Sequence, residues 1–411
     1  MPARPASLRA PKCSHDGMNP TFPLTRTDAL NRLNAFASKA GVAYRNQRNY
    51  DFGSQRHESV SRLSAALRRR IITEAEVCRV ILDTHNYKDA EQFIAEICWR
   101  TYWKGWLEHH PTLWTRYQSE LSSCQMMHQQ QADFREAYKT AISGKTGIDC
   151  FDHWTQELLE TGYLHNWARM QWASIWIFTL GLPWQMGADF TYRHFRDADP
   201  ASNTLSWRWV AGLHTAGKHY LADPEKIRTL TQGRFTPTGL NTAATAISEA
   251  TKPTQSPPRQ PMPFNASLPS ALLITPEDLS LENEGSLAEM EIGLILAPST
   301  LFPTLADRRA GEDALQRAAA HWRCEAGWVD DLAGVQPAMK KHQLDQCLTG
   351  FLPVGDTRDA VMCWASKLTA EGITLGEVQR QWDLVLWPYC QKGFFHLKSR
   401  IPQLLAQMGI E

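Results

Sequence analysis

The chain has 411 residues, which is enough for two ordinary domains or for one large domain with an appendage. Its 43 basic and 43 acidic residues cancel, whereas a protein that binds nucleic acid mainly through bulk charge is more basic. A nucleic-acid role would therefore rest on a local patch or a pocket. The 16 Trp residues indicate stacking surfaces, an aromatic cofactor pocket, an electron-transfer chain or a Trp-rich helical core.

The first 21 residues predict a disordered leader. They are basic and rich in Pro but contain no apolar segment, so they do not form a secretory signal. The nine Cys residues include no CxxC pair and no Cys/His metal spacing, which argues against a metal site and favours free thiols in a reducing compartment. Since no apolar run reaches membrane-spanning length, we expect a cytoplasmic protein without a membrane partner.

Residues 22–232 predict an all-helical domain. From Thr27 onward Leu30, Leu33 and Phe36 recur at helical spacing behind a Thr/Asp start. Further helical patterns cover about 73–84, 88–109, 131–142, 150–161 and 164–180. Strand-like alternation is almost absent before residue 220, so this part of the chain is expected to be mainly α.

The remaining residues predict a linker and a second module. Residues 233–288 are rich in Pro, Ser and Thr, which is typical of a linker or an extended surface crossing. Within 289–411, the apolar run at 290–298 and the segment CLTGFLPVG predict strands, and helical patterns follow each of them. The end of the chain is predicted to be helical on both sides of Pro388 and Gly393. Strands alternating with helices indicate a small C-terminal α/β module. It has no glycine-rich nucleotide signature.

Polar and apolar side chains recur in pairs in the helical part, at spacings that place both members of a pair on one helical face. Glu96 and Trp99 are three residues apart and share a helical face, as do Asn166 and Met170, four apart. The segment DADPASNTLSWRW at 197–209 adds two carboxylates, one amide and two indoles. Each of these residues alone is as well explained as a helix cap or a core residue. A basic run at 68–70 is best explained as a solvated helix end, with contact to a DNA backbone as the alternative.

Taken together and in order, these motifs resemble the flavin-binding helical domain of the DNA photolyase–cryptochrome family. The matching segments are SRLS at 61–64, GKTG at 144–147, EICWR at 96–100, HNWARM at 165–170, DADPASN at 197–203 and WRW at 207–209. The resemblance covers about residues 25–220, close to half of the chain. It does not extend to the C-terminal module, and too few residues precede Tyr44 for the family's usual N-terminal α/β antenna domain.

The resemblance implies FAD as the cofactor. The phosphates of a folded FAD would be lined by residues of the N-terminal segment, with Arg100 nearby: Tyr44, Ser61, Leu63 and Ser64. The isoalloxazine and ribityl groups would be surrounded by Asn166, Arg169, Asp197, Asp199 and Asn203. The amide of Asn203 would lie opposite the flavin N5, where it can accommodate both protonation states, and the flavin would supply the chemistry.

The resemblance also implies a substrate, the cyclobutane pyrimidine dimer in UV-damaged DNA. The positions that would meet the lesion are Glu96, Trp99, Asn166, Met170 and Trp209. A damaged dinucleotide pairs poorly and is easier to flip out of the duplex than an intact pair. Family members that repair the 6-4 photoproduct carry histidines where Asn166 and Met170 stand, so the residues present favour the cyclobutane dimer.

Electrons would reach the flavin through Trp207, which matches the flavin-proximal member of the family's Trp chain, and Trp184, which matches the middle one. No Trp falls where the distal member should lie, and that segment offers only Tyr138. Trp167 replaces an arginine that family enzymes often direct toward the DNA backbone.

Two function classes remain open. The first is a light-driven DNA repair lyase. The second is a cryptochrome-like blue-light photosensor whose signalling partner would bind the C-terminal module.

Overall fold

The computed structural model describes residues 22–54, 56–369 and 372–411, so the predicted leader at 1–21 lies outside the described residues. The helices before residue 231 are α1 Arg26–Ala37, α2 Val42–Gln47, α3 Ser64–Arg68, α4 Glu74–Leu82, α5 Tyr87–His109, α6 Thr112–Gln130, α7 Ala132–Ile142, α8 Asp149–Thr161, α9 Asn166–Ser174, α10 Trp184–His194, α11 Pro200–Ala211 and α12 Pro224–Leu230. The later elements are β1 Ser270–Leu273, β2 Ile292–Pro298, α13 Leu305–Trp322, β3 Glu325–Val329, α14 Val335–Lys341, β4 Gln346–Gly350, α15 Asp356–Thr369, β5 Thr374–Val378, α16 Gln381–Leu386, α17 Phe394–Lys398 and α18 Ile401–Gln407.

The prediction of a mainly helical chain with strands in its C-terminal part is confirmed. In the described ranges the first strand begins at Ser270, and helices occupy most of the chain before it. Local signals set several helix ends. Thr73 and Glu76 form a capping box at the start of α4, and Gly162 ends α8 in the left-handed region at φ 70°. Across these same ranges no helix combines the length and apolar composition that crossing a bilayer requires.

The five strands form one parallel sheet in the order β3-β2-β1-β4-β5. Strand β1 is central in this sheet, although it lies inside the stretch for which a linker was predicted. Its four residues follow a Pro- and Ser-rich run, so composition averaged over a window conceals them. Strands β3 and β5 were not predicted either, because EAGWV and TLGEV are five residues long and neither is a continuous apolar run.

The two faces of the sheet belong to two different apolar clusters. Leu272 and Ile295 point into the cluster that also contains the helical part, with residues from Ala29 to Ile410. Their neighbours Ala271 and Leu294 point the other way, into a smaller cluster with α14 and α15. Successive strand residues face opposite sides, so one face of the sheet packs toward the helical part and the other holds its own helices.

The basic run at residues 68–70 is buried, and the prediction of a solvated helix end is wrong. The three arginine residues are each 5% or 6% exposed. Each pairs with a different acidic residue of the C-terminal part: Arg68 with Glu277 at 2.8 Å, Arg69 with Asp307 at 2.9 Å and Arg70 with Asp383 at 2.7 Å. The partners lie more than 200 residues further along the chain, where a local pattern cannot show them. The run therefore joins the helical part to the sheet.

Candidate flavin site

The N-terminus of α11 brings a buried carboxylate into the middle of the helical part. Asp199 caps this helix, because its side chain accepts a hydrogen bond from the Ser202 amide at 2.7 Å and Pro200 occupies the first helical position. The side chain of Asp199 is only 1% exposed. A buried carboxylate requires nearby positive charge, and the neighbouring helices supply it.

Three cations surround the Oδ2 atom of Asp199. Lys104 Nζ lies 3.5 Å away, Arg100 Nη1 3.8 Å away and Arg68 Nε 3.9 Å away. Burial by itself would raise the pKa of Asp199. The attraction of Lys104, Arg100 and Arg68 outweighs it and holds that pKa well below its usual value. Asp199 is therefore ionised at any physiological pH.

Asp197 forms the second carboxylate of the cluster. It accepts a hydrogen bond from Arg169 Nη1 at 3.1 Å, and Arg100 Nη2 lies 3.9 Å from its other oxygen. Burial raises the pKa of Asp197, but Arg169 and Arg100, with a hydrogen bond from Ser64, bring it below the ordinary value. The structure thus brings together four of the residues predicted to hold the flavin. We call Arg100, Arg169, Asp197 and Asp199 the cofactor half of the site.

The segment predicted to line the cofactor phosphates runs from Ser61 to Ser64. Leu63 is fully buried, and its amide donates a hydrogen bond to the Ser61 hydroxyl at 3.4 Å. Tyr44 packs edge-on against Phe36 and Phe93, and burial raises the pKa of its phenol. A cavity of about 330 Å³ opens beside Tyr44 and Ser59.

Several buried polar atoms near these residues have no hydrogen-bond partner among the described residues. They are Ser59 Oγ, Arg62 Nε, Arg100 Nη1, Asp199 Oδ2 and Ser202 Oγ. The large majority of buried side-chain polar atoms have a hydrogen-bond partner, so a cluster of exceptions points to a group that is not part of the chain. Hydroxyl and guanidinium donors suit phosphate and carbonyl oxygens. These residues fit a polar, anionic cofactor such as FAD.

Asn203 and Trp207 meet at Thr191 of α10. The Asn203 amide donates to the Ala188 carbonyl at 2.8 Å, and its oxygen accepts from the Thr191 hydroxyl at 3.0 Å. The indole of Trp207 donates to the same hydroxyl at 2.9 Å. The rotamer of the amide that was predicted to face the flavin N5 is thus fixed by bonds to α10.

The aromatic contacts of Trp207 differ from the predicted chain. Its ring lies 5.9 Å from Trp172 and 6.3 Å from Trp176, and Tyr138 packs edge-on against Trp176 at 5.8 Å. Trp184, the predicted next member, instead stacks on Tyr117 at 5.6 Å. The series of ring contacts that starts at Trp207 therefore leads toward Tyr138.

The residues predicted to meet the lesion form a second group, which we call the lesion half: Glu96, Trp99, Asn166, Met170 and Trp209. Asn166 is exposed, whereas Met170 and Trp209 are half-buried. Trp209 lies 5.5 Å from Tyr220. Two members are already engaged by other side chains. Glu96 forms an ion pair with Arg48, and Trp99 stacks on Phe394 with ring centroids 3.8 Å apart.

Sequence reasoning missed several contributors to both halves. Arg68 and Lys104, which flank Asp199, and Glu277, which pairs with both of them, were not predicted. Phe394 was not expected to approach Trp99. The spacing of Lys104, four residues after Arg100 on α5, was the one local signal available, since it places both cations on one helical face.

Known proteins match the part of the chain that contains most of these residues. The profile of the family described as "FAD binding domain of DNA photolyase" matches residues 93–236. Curated relatives are deoxyribodipyrimidine photo-lyases. The Neurospora crassa protein is 27% identical over 199 residues, covering 47% of this chain and 31% of the relative. The Streptomyces griseus protein is 33% identical over 165 residues, which cover 38% of this chain and 33% of the relative. The Escherichia coli protein is 26% identical over 223 residues, which cover 53% of this chain and 45% of the relative.

Two solved structures also match part of the chain. A bacterial class III photolyase from Agrobacterium tumefaciens is 26% identical with a TM-score of 0.41, and a Synechocystis cryptochrome is 20% identical with a TM-score of 0.43. In both cases the match covers 51% of this chain and 43% of the other. The chain spans less than half the length of these relatives and structures.

The matched stretch assigns the helical part to the FAD-binding domain of the photolyase–cryptochrome family.

Proposed function

We propose that the cofactor half binds FAD. The observation that carries this proposal is the cluster of buried polar atoms around Asp199 that make no hydrogen bond within the described residues. Arg100 and the segment with Ser61 and Ser64 would hold the phosphates, because hydroxyl and guanidinium groups donate to anionic oxygens. Arg169 and the two carboxylates Asp197 and Asp199 would bind the polar edge of the ring system and the ribityl chain.

We propose further that the protein is a lyase that reverses cyclobutane pyrimidine dimers in UV-damaged DNA under blue light. When bound, the reduced flavin would supply the light-driven electron that opens the dimer. The chain would position the lesion and exclude water around it. All five residues of the lesion half are present. Asn166 and Met170 occupy the two positions at which a pair of histidines would indicate the 6-4 photoproduct.

Glu96 would hold the pyrimidine edge of the flipped dinucleotide. Its Oε1 atom accepts hydrogen bonds from Arg48 and from Gln92, the latter at 3.1 Å, so the carboxylate is fixed before substrate binds. A fixed acceptor needs little reorganisation when charge develops on the lesion. Trp99 and Trp209 would supply apolar faces for the bases, with Asn166 and Met170 at the rim.

Electron supply to the cofactor would begin at Trp207. Its hydrogen bond to Thr191 holds the indole beside α10, and its ring contacts lead through Trp176 to Tyr138. Trp184 would serve a second branch, through Tyr117 to Trp114 at 5.6 Å. In both branches the centroids of successive rings lie between 5.6 and 6.3 Å apart.

The second candidate function, a blue-light photosensor, is favoured by the contact between Trp99 and Phe394. A ring from α17 already covers one face of Trp99, at an interplanar angle of 16°. In a sensor this contact would couple the flavin-binding part to the C-terminal module, and a signalling partner would bind that module. In a repair enzyme the lesion would use the remaining surface of Trp99 or displace Phe394.

Dimer reversal separates the two functions. The purified protein is loaded with FAD, reduced and illuminated with blue light in the presence of an oligonucleotide that contains one thymine dimer. Light-dependent restoration of the two thymines supports repair. Flavin photoreduction without restoration supports sensing, and a protein that binds no FAD contradicts both.

A further inference from the structure

The carboxyl ends of β1 and β4 form a crevice at the centre of the sheet. These strands are neighbours, but the chain continues from β1 to β2 on one side and from β4 to β5 on the other. In open α/β sheets such a switch point is the usual place for a ligand. Residues 275–278 follow β1 at this edge, and residues 351–356 follow β4.

Residues of the helical part of the same chain pack into this crevice. Gly355, after β4, packs against Pro200, the first residue of α11, and a Cβ atom on Gly355 would lie 2.5 Å from Pro200 Cγ. Glu277, after β1, accepts two hydrogen bonds from Arg68, at 2.8 and 3.1 Å. The start of α11, and with it Asp199, is therefore seated against the sheet edge.

Glu277 and Asp199 share their cations. Lys104 Nζ lies 3.5 Å from Glu277 Oε2 and 3.5 Å from Asp199 Oδ2. Arg68 bonds Glu277 and also lies 3.9 Å from Asp199. Thr357 of α15 donates a further hydrogen bond to Glu277 at 3.1 Å, which fixes its carboxylate. All four charged side chains are less than 10% exposed, so solvent screens their interactions little.

We propose that Glu277 is a positioning residue of the flavin site. It acts from the sheet through Lys104 and Arg68, and it determines how much of their positive charge is left for Asp199 and for the cofactor beside it. This inference rests on the proposed binding of FAD. It assigns to the C-terminal module a role inside the site, in addition to any partner that it binds.

The direction in which the midpoint potential of bound FAD should shift follows from charge alone. When Glu277 loses its charge, Lys104 and Arg68 keep Asp199 as their shared counter-ion, and the surroundings of the cofactor become more positive. A more positive environment favours the reduced, more negative state of a bound flavin. When Lys104 loses its charge, the surroundings become more negative and the oxidised state is favoured.

The test is the midpoint potential of bound FAD in Glu277→Gln, Lys104→Gln and Asp383→Asn. Asp383 is the matched control, because it pairs with Arg70 at the same interface and is 1% exposed, while Asp199 is contacted by Arg68 and not by Arg70. We expect a more positive potential in Glu277→Gln, a more negative one in Lys104→Gln and no shift in Asp383→Asn, even where all three lower stability.

Shifts of the same sign in both site variants, or an equal shift in Asp383→Asn, would overturn the proposal, since a general loss of packing would then explain them. If Glu277→Gln does not fold, Lys104→Gln still decides: an unchanged or more positive potential contradicts the proposal. A wild-type protein that binds no FAD shows instead that the proposed function has failed, so the two failures are distinguishable.

Discussion

The two halves of the candidate site differ in what surrounds them. In the cofactor half, Asp197 and Asp199 lie among cations, and the buried atoms Arg100 Nη1 and Asp199 Oδ2 make no hydrogen bond within the described chain. In the lesion half two of the five side chains are engaged by other side chains, since Glu96 pairs with Arg48 and Trp99 stacks on Phe394. Hydrogen-bonding capacity is thus left over in the cofactor half, whereas part of the lesion half is covered.

Under the proposed functions, the two activities would depend on the two halves separately. Retention of a flavin would depend on the charged cluster, which is held in place by packing and by the sheet edge. Access of a lesion would depend on the lesion half, where Phe394 covers one face of Trp99. Substitutions in each half should therefore have separable effects on cofactor content and on substrate binding.

The largest effect is expected from Asp197→Asn. It removes a buried charge and leaves Arg169 and Arg100 without a full counter-ion, which costs about 3–5 kcal/mol for a broken buried pair. We expect loss of FAD and a lower midpoint of urea unfolding. The control is Glu225→Gln at an exposed ion pair, which should change stability by less than about 1 kcal/mol. Equal unfolding midpoints in the two variants would contradict the assignment of Asp197 to a buried, charged cluster.

Acid should weaken the fold through two buried histidines. Burial lowers the pKa of His165, next to the cofactor half, to about 4, and that of His214, beside Tyr102, to about 4. Since each folded-state pKa lies below the unfolded value of 6.5, the unfolded state binds more protons between these values. The contribution of each neutral histidine to the free energy of unfolding is therefore fully present above pH 6.5. It is lost as the pH drops toward 4, by up to about 3 kcal/mol per histidine.

Urea unfolding at pH 7 and pH 5 measures this loss. His165→Gln should flatten the pH dependence, while the exposed His153→Gln should leave it unchanged. A variant of His165 with the same pH dependence as the wild type would show that other groups take up the protons.

The role of Glu96 is tested by Glu96→Ala. Removal of one preorganised polar group from a site of developing charge typically lowers a rate by about a hundredfold, so we expect a loss of that order in dimer reversal at normal FAD content. Glu91→Ala is the matched control on the same helix, because Glu91 pairs with Lys398 at the surface. An unchanged repair rate in Glu96→Ala would refute the proposed role.

The smallest effect is expected from Phe394→Leu. The substitution removes the ring stacked on Trp99 and costs about 1 kcal/mol, as other apolar exchanges of similar volume do. If Phe394 restricts access to Trp99, binding of a UV-damaged oligonucleotide in the dark should become severalfold tighter. Phe395→Leu is the control, since that side chain is 78% exposed. Tighter binding in both variants, or in neither, would remove Phe394 from the lesion half.

The helical part could be predicted well because its signals are local. Periodicity located α5 within a residue or two, and the residues of the cofactor half were named from short motifs. It was harder to predict the contacts made by Asn203, Trp207 and Trp184, because these contacts depend on how α10 packs against its neighbouring helices.

The C-terminal part was harder to predict because its interactions are distant in sequence. β1 is four residues long, and its burial comes from neighbours β2 and β4, not from its own pattern. The charges of residues 68–70 look solvated in isolation, and only folding brings Glu277, Asp307 and Asp383 to them. Long-range pairing of this kind leaves no trace in a window of ten or twenty residues.

The pairing of residues 68–70 also has a consequence for the timing of folding. The contact of Arg68 with Glu277 closes a loop of 209 residues, and that of Arg70 with Asp383 closes one of 313. Contacts of such separation form late. At a synthesis rate of about 5–20 residues per second, roughly tens of seconds pass between the emergence of Arg70 and that of its partner. Until Glu277, Asp307 and Asp383 have been synthesised, the three arginines lack their nearest counter-ions, so the helical part cannot bury them as it does in the complete chain.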